Sequence, residues 1–291
     1  MKFEIITDTA SGLSYKYVTK NNVKMVSFKY YFGDNEHDTF VQSNDEDWLR
    51  EFYAKLRKKE SANTSMINSD AFITMFTDVL NKGKDFIYLA FSSALSGTCE
   101  TARAVMEKLK PLYPDRKMYV FDTKSAAQGL GLNVDFAVRQ RDKGDSIEQV
   151  YQWQVDNTLK ICHWFTVDDL FFLKRGGRIS GATAVAGTVL GIKPVMHVNN
   201  EGKLIKVGTE RGRKAALDAL VKKFGDTAIS PENQRVFIGH GDCADDMKYV
   251  QKQLKDKFNV KEFETGFVNP VIGVHSGPGT MTVFFYGNSR E

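Results

Sequence analysis

Cysteine is scarce in this sequence: Cys99, Cys162 and Cys243 are the only three among 291 residues. They are an odd number at wide spacing, with no CxxC pair and no Cys/His cluster of zinc-site spacing, so a disulfide framework is excluded and no thiolate metal site is offered. Long apolar runs are missing as well. Even residues 184–192 fall short of the ~18 residues of a membrane span and are broken by glycine. Residues 1–8 lack the basic and apolar regions of a signal peptide, and the expectation is a soluble, cytoplasmic protein. No surplus of one charge exists: 40 Lys plus Arg against 36 Asp plus Glu leave +4, too little to argue for a nucleic-acid partner. What remains is ordinary, with 42% apolar and 26% charged residues, and a length that favours two domains, each with its own core. With no internal repeat and no low-complexity linker, the domains are expected to pack together.

Along the first half, short β-rich runs (3–6, 23–32, 86–91, 117–121) alternate with segments of helical period. Strand, polar loop, helix, repeated, predicts an α/β fold with a parallel sheet covered on both faces. The second half predicts a strand at 164–167, a short helix at 168–173 and the basic, glycine-rich stretch 174–180. A hairpin over 196–207, helices at 213–224 and 245–258, and strands at 236–238, near 263 and at 283–286 follow. The domain boundary is placed near 160, giving residues 1–160 and 161–291. The small-residue segment 182–190 reads either as a helix packed closely on the sheet or as a gate.

In doubly wound folds ligands bind beyond the carboxyl ends of the strands, which directs attention to the loops after Ile6, Phe91 and Phe121. The loop Ser92-Ser93-Ala94-Leu95-Ser96-Gly97-Thr98 opens a helix, where hydroxyls and free N–H groups suit an anion. On spacing alone, Ser96 and Thr98 serve equally well as plain helix caps. Thr64-Ser65 either reaches the same cleft or forms a turn, and His275-Ser276-Gly277-Pro278-Gly279 fixes a tight backbone around a histidine. His37, His163, His197 and His240 have no evident partner and read as structural or solvated. Asp8, Asp122, Asp168 and Asp169 lie far apart in sequence, and Asp at a strand end is a routine cap. The nucleophile-elbow and phosphate-loop motifs are absent, and Gly129-Leu130-Gly131 continues with Val134 where a dinucleotide fingerprint needs Gly or Ala. Arg175 and Arg178, with Arg211 and Arg213 further on, form either a solvated basic face or a docking surface.

Taken together, Ile6-Thr7-Asp8-Thr9-Ala10, Thr64-Ser65, Ser92 to Thr98, Leu173-Lys174-Arg175-Gly176-Gly177-Arg178-Ile179-Ser180, Ile192-Lys193-Pro194 and Ile272 to Gly279 resemble the DegV family of bacterial fatty-acid-binding proteins. The resemblance runs through nearly the whole chain. It implies two α/β domains, an N-terminal three-layer domain with a parallel sheet and a C-terminal domain with a mixed sheet, holding one long-chain fatty acid between them. It implies that the carboxylate is held by Thr64, Ser93, Ser96, Gly97, His275 and Gly277, Ser93 and Ser96 being alternatives for the direct contact. No metal and no resident cofactor are implied. The partner implied is an ATP-dependent fatty acid kinase that phosphorylates the bound carboxylate, with Arg175, Arg178, Arg211 and Arg213 as partner or phosphate contacts and transient contact with a membrane surface. Two positions depart from the family pattern Thr-Ser-x-Pro-Ser: Ile67 and Asn68 replace the proline and the last serine. Cys99 stands where an aromatic is common. The rival reading is a small-molecule enzyme, a serine hydrolase or nucleotide-dependent transferase, using Ser93 or Ser96 with His275.

Overall fold

The hexapeptide Phe3–Asp8 is buried at every position and forms strand β1 of a computed structural model that describes residues 3–180 and 191–291. Helix α1, Tyr15–Lys20, capped by the Ser14 hydroxyl, leads into β2, Val23–Val26, parallel to β1. β3, Lys29–Phe32, and β4, Asn35–Asp38, form a hairpin; helix α2, Asp47–Arg57, follows, and β5, Ala62–Ser65, then pairs antiparallel with the other edge of β3.

This separate three-stranded sheet, in the order β4-β3-β5, departs from the expectation that residues 23–32 form one strand region. The break has a local cause. The Phe28 N–H donates to Thr9 Oγ1 at 3.0 Å and its carbonyl accepts from Thr39 Oγ1 at 2.7 Å. Side chains thus occupy the backbone groups a continuous ladder would need.

Helix α3, Ser69–Asn81, strand β6, Asp85–Ala90, helix α4, Thr98–Leu109, and strand β7, Met118–Asp122, complete a four-stranded sheet of order β2-β1-β6-β7 in which every pair is parallel. Helices α5, Gln128–Lys143, and α6, Ile147–Asn157, pack against each other and on this sheet.

From β8, Ile161–Thr166, the architecture changes. Helix α7, Phe171–Arg175, starts later than expected, because the Asp169 carboxylate accepts the Phe171 N–H at 2.8 Å and turns the chain first. β9, Ile192–Val198, and β10, Leu204–Arg211, make the anticipated hairpin; helix α8, Arg213–Thr227, strand β11, Arg235–His240, helix α9, Ala244–Phe258, strand β12, Glu262–Phe267, helix α10, Pro270–Ser276, and strand β13, Met281–Tyr286, complete the chain. The sheet order is β10-β9-β8-β13-β11-β12, antiparallel except for β11 with β12, so it is mixed. The segment 182–190, for which a wall or a gate was expected, lies outside the described residues.

Helix α5 touches β1 and β6 on one side and β8, β11 and β13 on the other, and so lies between the two sheets. Its glycines make that approach possible: a Cβ on Gly129 would lie 2.3 Å from His163 Nε2. The GxG pair therefore serves packing. Two small cores stand apart from the sheet interiors. Tyr30, Phe32, Phe52, Tyr53, Phe267 and Val274 cluster beneath the three-stranded sheet, and Phe165, Leu173, Ile179 and Met196 cluster beside β8 and β9. Among the described residues no helix is long and apolar enough to cross a membrane.

Candidate functional site

A cleft lies where the loops after the parallel strands meet the mixed sheet. Its walls are apolar: Phe28 and Phe91 come from the first sheet's side, Phe165, Val198 and Leu204 from the second, and Phe284 from the central strand β13. Ala126 and Ala127, on the turn into α5, line it as well. Two threonines in the wall have their hydroxyls occupied. Thr280 Oγ1 donates to the Gly277 carbonyl at 2.7 Å, and Thr282 Oγ1 lies 2.9 Å from the Gly239 N–H and 3.1 Å from its carbonyl. Neither is left to hold a ligand.

The remaining polar lining gathers Thr64 and Ser65 from β5, Ser96 from the loop before α4, Arg178 from the basic stretch, and His275 and Ser276 from the end of α10. Thr64 Oγ1 and His275 Nε2 are 2.9 Å apart. Burial first, and then Arg178 and Arg175, pull the His275 imidazolium down to about 3. The ring is therefore neutral across physiological pH. Among the described residues its Nδ1 is buried without a hydrogen-bond partner, and so is Ser276 Oγ. Such atoms are costly to leave unpaired.

Ser96 lies at the start of α4, where its Oγ accepts the Thr98 N–H at 3.3 Å and lies 2.9 Å from Thr98 Oγ1. The capping reading and the ligand reading thus fall on one residue: Ser96 organises the first turn while lining the cleft. Gly97 is the N-cap position of this 12-residue helix, and its exposed backbone stands outside the cleft lining. Ser93 is placed elsewhere. It is exposed, its hydroxyl donates to Asp122 Oδ2 at 2.5 Å and its N–H reaches Asp122 Oδ1 at 3.2 Å. Of the two alternatives, Ser96 alone lines the cleft.

Gly277 follows α10 with φ of 79°, and a Cβ there would lie 2.5 Å from Phe172. Its N–H is spent on the Gly273 carbonyl at 2.8 Å, so it orients the loop behind His275. The departures after Thr64-Ser65 are absorbed locally. Ile67, 3% exposed, sits in the N-terminal core, and the Asn68 side chain caps α3 by accepting the Ala71 N–H at 2.9 Å. Cys99 is buried, which pushes its thiol up to about 12. It is an inert packing residue.

The four arginines do not form one patch. Arg178 lines the cleft, its guanidinium donating to the Gly176 carbonyl and, at 3.4 Å, to that of Leu95. Arg175 stacks over Phe171 and Phe172, 5.7 Å and 5.2 Å from the ring centroids. Arg211 is exposed at the end of β10. Arg213 is paired with Asp246 at 2.7 Å and Asp168 at 3.5 Å. Its charge is already answered.

For the hydrolase reading, His275 Nε2 faces Thr64, Ser93 is held by Asp122 and Ser96 by Thr98, so the serine–imidazole contact such chemistry needs is not assembled. Among the described residues no group of His, Cys, Asp and Glu is arranged to hold a metal ion.

Comparison with known proteins agrees with this architecture. The model of the DegV family, described as an uncharacterised protein family, matches residues 2–288. A DegV domain-containing protein of Clostridium perfringens is 37% identical over 290 residues, covering 100% of this chain and 99% of its own. A DegV family protein from Thermus thermophilus, described by its fatty acid binding, superposes with a TM-score of 0.86 at 27% identity, covering 99% of this chain and 100% of that one. A DegV lipid binding protein from Thermotoga maritima shares the fold with a TM-score of 0.85 at 24% identity, both chains being covered in full. With a family match across almost its whole length, the chain belongs to the DegV family.

Proposed function

We propose that this protein is a carrier, not itself an enzyme, that encloses one long-chain fatty acid and presents its carboxylate to a partner ATP-dependent fatty acid kinase. The observation that carries the reading is the grouping of Thr64, Ser96 and a neutral His275, with Arg178 and Ser276 beside them, at one place on a largely apolar cleft. Burying the roughly fifteen methylene and methyl carbons of a sixteen-carbon chain at ~0.8 kcal/mol each gives roughly 12 kcal/mol of gross driving force before association costs. A buried carboxylate then needs hydrogen-bond donors, and hydroxyls with a neutral imidazole supply them without a bidentate arginine clamp on both oxygens. One oxygen stays free to attack the γ-phosphorus of ATP in the kinase, forming an acyl-phosphate as the bond to ADP breaks. Relatives described as fatty acid binding support the ligand class; the kinase, the cytoplasmic setting and a transient membrane contact extend the same reading. The division near residue 160 follows it too, since the cleft draws Thr64 and Ser96 from one side and Arg178 and His275 from the other.

The test is direct. Denaturing extraction of the purified protein followed by mass spectrometry should release a long-chain fatty acid in stoichiometric amount. A lipid-free sample that also fails to take up oleate or palmitate refutes the carrier reading. Thr64→Ala, Ser96→Ala and His275→Ala should lower acyl-phosphate formation far more than folding, whereas Ser93→Ala should not. Docking is tested at Arg175 and Arg211, because reversing Arg213 would also break its pairs with Asp168 and Asp246. Turnover of an Arg175→Glu/Arg211→Glu protein equal to wild type at low salt would remove the docking role.

A further inference from the structure

The part of the cleft wall built by Ala126 and Ala127 is essentially backbone, since neither residue carries a side chain that can adjust. Ala127 sits at φ 50° and ψ −148°, where glycine is comfortable and an L side chain is strained. Three residues earlier Lys124 also has a positive φ, 48°. A turn with two such residues keeps its shape only when its surroundings over-determine it.

The surroundings are a buried polar cluster on the far side of that turn. Ser125 Oγ donates to the Thr123 carbonyl at 2.9 Å and accepts from Asn133 Nδ2 at 3.0 Å. The Thr158 hydroxyl lies 2.9 Å from the Thr123 carbonyl and 3.0 Å from Asn133 Oδ1. Into this cluster the C-terminal tail inserts Arg290, only 1% exposed. Its guanidinium donates to the carbonyls of Lys124 (2.6 Å), Thr158 (2.8 Å), Ile161 (2.9 Å) and Asn199 (3.3 Å) and to Ser125 Oγ (3.3 Å). All of these acceptors are neutral oxygens. A buried cation held this way is an expensive device, and two of its five contacts, to the Lys124 carbonyl and to Ser125 Oγ, fall on the turn that forms the wall. Asp122 and Glu291 act on it only through space, and burial outweighs them both.

We propose that Arg290 is a positioning residue for acyl-chain selectivity, tying the C-terminal tail to Lys124 and Ser125 so that the strained Ala126–Ala127 wall stands where it discriminates among chains. The proposal rests on the fatty-acid reading and deepens it. Because Thr64, Ser96 and His275 share no hydrogen bond with this cluster, loosening Arg290 changes the ranking of chain lengths, whereas loosening the head-group corner weakens every chain alike.

The test uses the full chain as wild type, Arg290→Lys, Ala127→Gly and the double variant. Each is assayed for displacement of bound cis-parinaric acid by laurate, palmitate and arachidate, well below its unfolding temperature. Arg290→Lys should compress the ratio between the tightest and weakest of the three acids by about tenfold. Ala127→Gly adopts the same backbone angles without strain, so it should restore most of that ratio in the double variant. If Arg290→Lys does not fold, Ser125→Ala takes its place in the same cycle. An unchanged ratio in Arg290→Lys, whatever its melting temperature, overturns the proposal, as does a loss that is equal with and without Ala127→Gly; Arg290 would then be a structural anchor only. Failure of the wild type to bind parinaric acid or any of the three acids overturns the fatty-acid reading itself.

Discussion

Asp8, at the end of β1, is fully buried and accepts three hydrogen bonds: from Tyr88 Oη at 2.6 Å, from the Phe91 N–H at 3.0 Å and from the Ala10 N–H at 3.0 Å. Burial raises its pKa from 3.8 to about 6, and the three donors offset only part of that rise. In the unfolded chain the group returns to 3.8, so the folded state holds its proton more tightly. Stability from this proton is complete below pH 4 and is lost as the pH climbs through 6. Each unit of pKa being worth about 1.4 kcal/mol, the loss amounts to about 3 kcal/mol. Asp8→Asn removes the titration. It also sets an amide NH₂ against one of the two backbone N–H donors, that of Ala10 or of Phe91, at a cost of about 1–3 kcal/mol that does not depend on pH. Urea unfolding of both proteins at intervals from pH 4 to 7 isolates the residue, because every other carboxyl cancels in the difference. The wild-type advantage should shrink steadily with rising pH over that window. Parallel profiles would refute the argument and return Asp8 to an ordinary ionised cap.

The same contacts set three further outcomes. With its imidazolium pulled down to about 3, His275 should show no titration between pH 5 and 8 in its ring nitrogen shifts, and an inflection near 6.5 would contradict its buried, neutral placement. Gly277→Ala meets both a positive φ and the Phe172 ring and should destabilise by about 1–3 kcal/mol in urea titration. Asn68→Ala removes the α3 cap, and a loss of about 1 kcal/mol in the same assay is expected; no loss would show that Ile67 alone anchors the turn.

The parallel sheet is legible because its strands are continuous apolar runs divided by polar loops, and the hairpin of β9 and β10 because Asn199-Asn200-Glu201-Gly202 separates two extended runs. What the sequence hides depends on residues distant along the chain. Ser93 and Ser96 are equivalent by spacing, and only the pairing of β6 with β7, which sets Ala90 opposite Asp122, brings a carboxylate to Ser93. Arg213 reads as a free surface charge until Asp168, just after β8, and Asp246, in α9, are brought beside it. The three-stranded sheet is hidden because the residues that interrupt β2 and β3 are Thr9 and Thr39, one before and one after them. Helix α10 does leave a signal: Asn269-Pro270 is a cap followed by proline at the first helical position, and the Asn269 side chain accepts the Val271 N–H at 3.1 Å.

Thr64 and His275 rest on the aromatic core of Tyr30, Phe32, Phe52 and Val274, whereas Phe165, Leu173 and Leu204 of the cleft wall belong to the separate cluster around Ile179 and Met196. Substitutions in packing units that share no partner add without much coupling. Under the proposed carrier function, one cluster is free to drift toward longer, shorter or bent chains while the other keeps the acid end in place. A carrier of that kind meeting a new lipid would need to repack only a few apolar residues, with no search for a new way to hold an acid group.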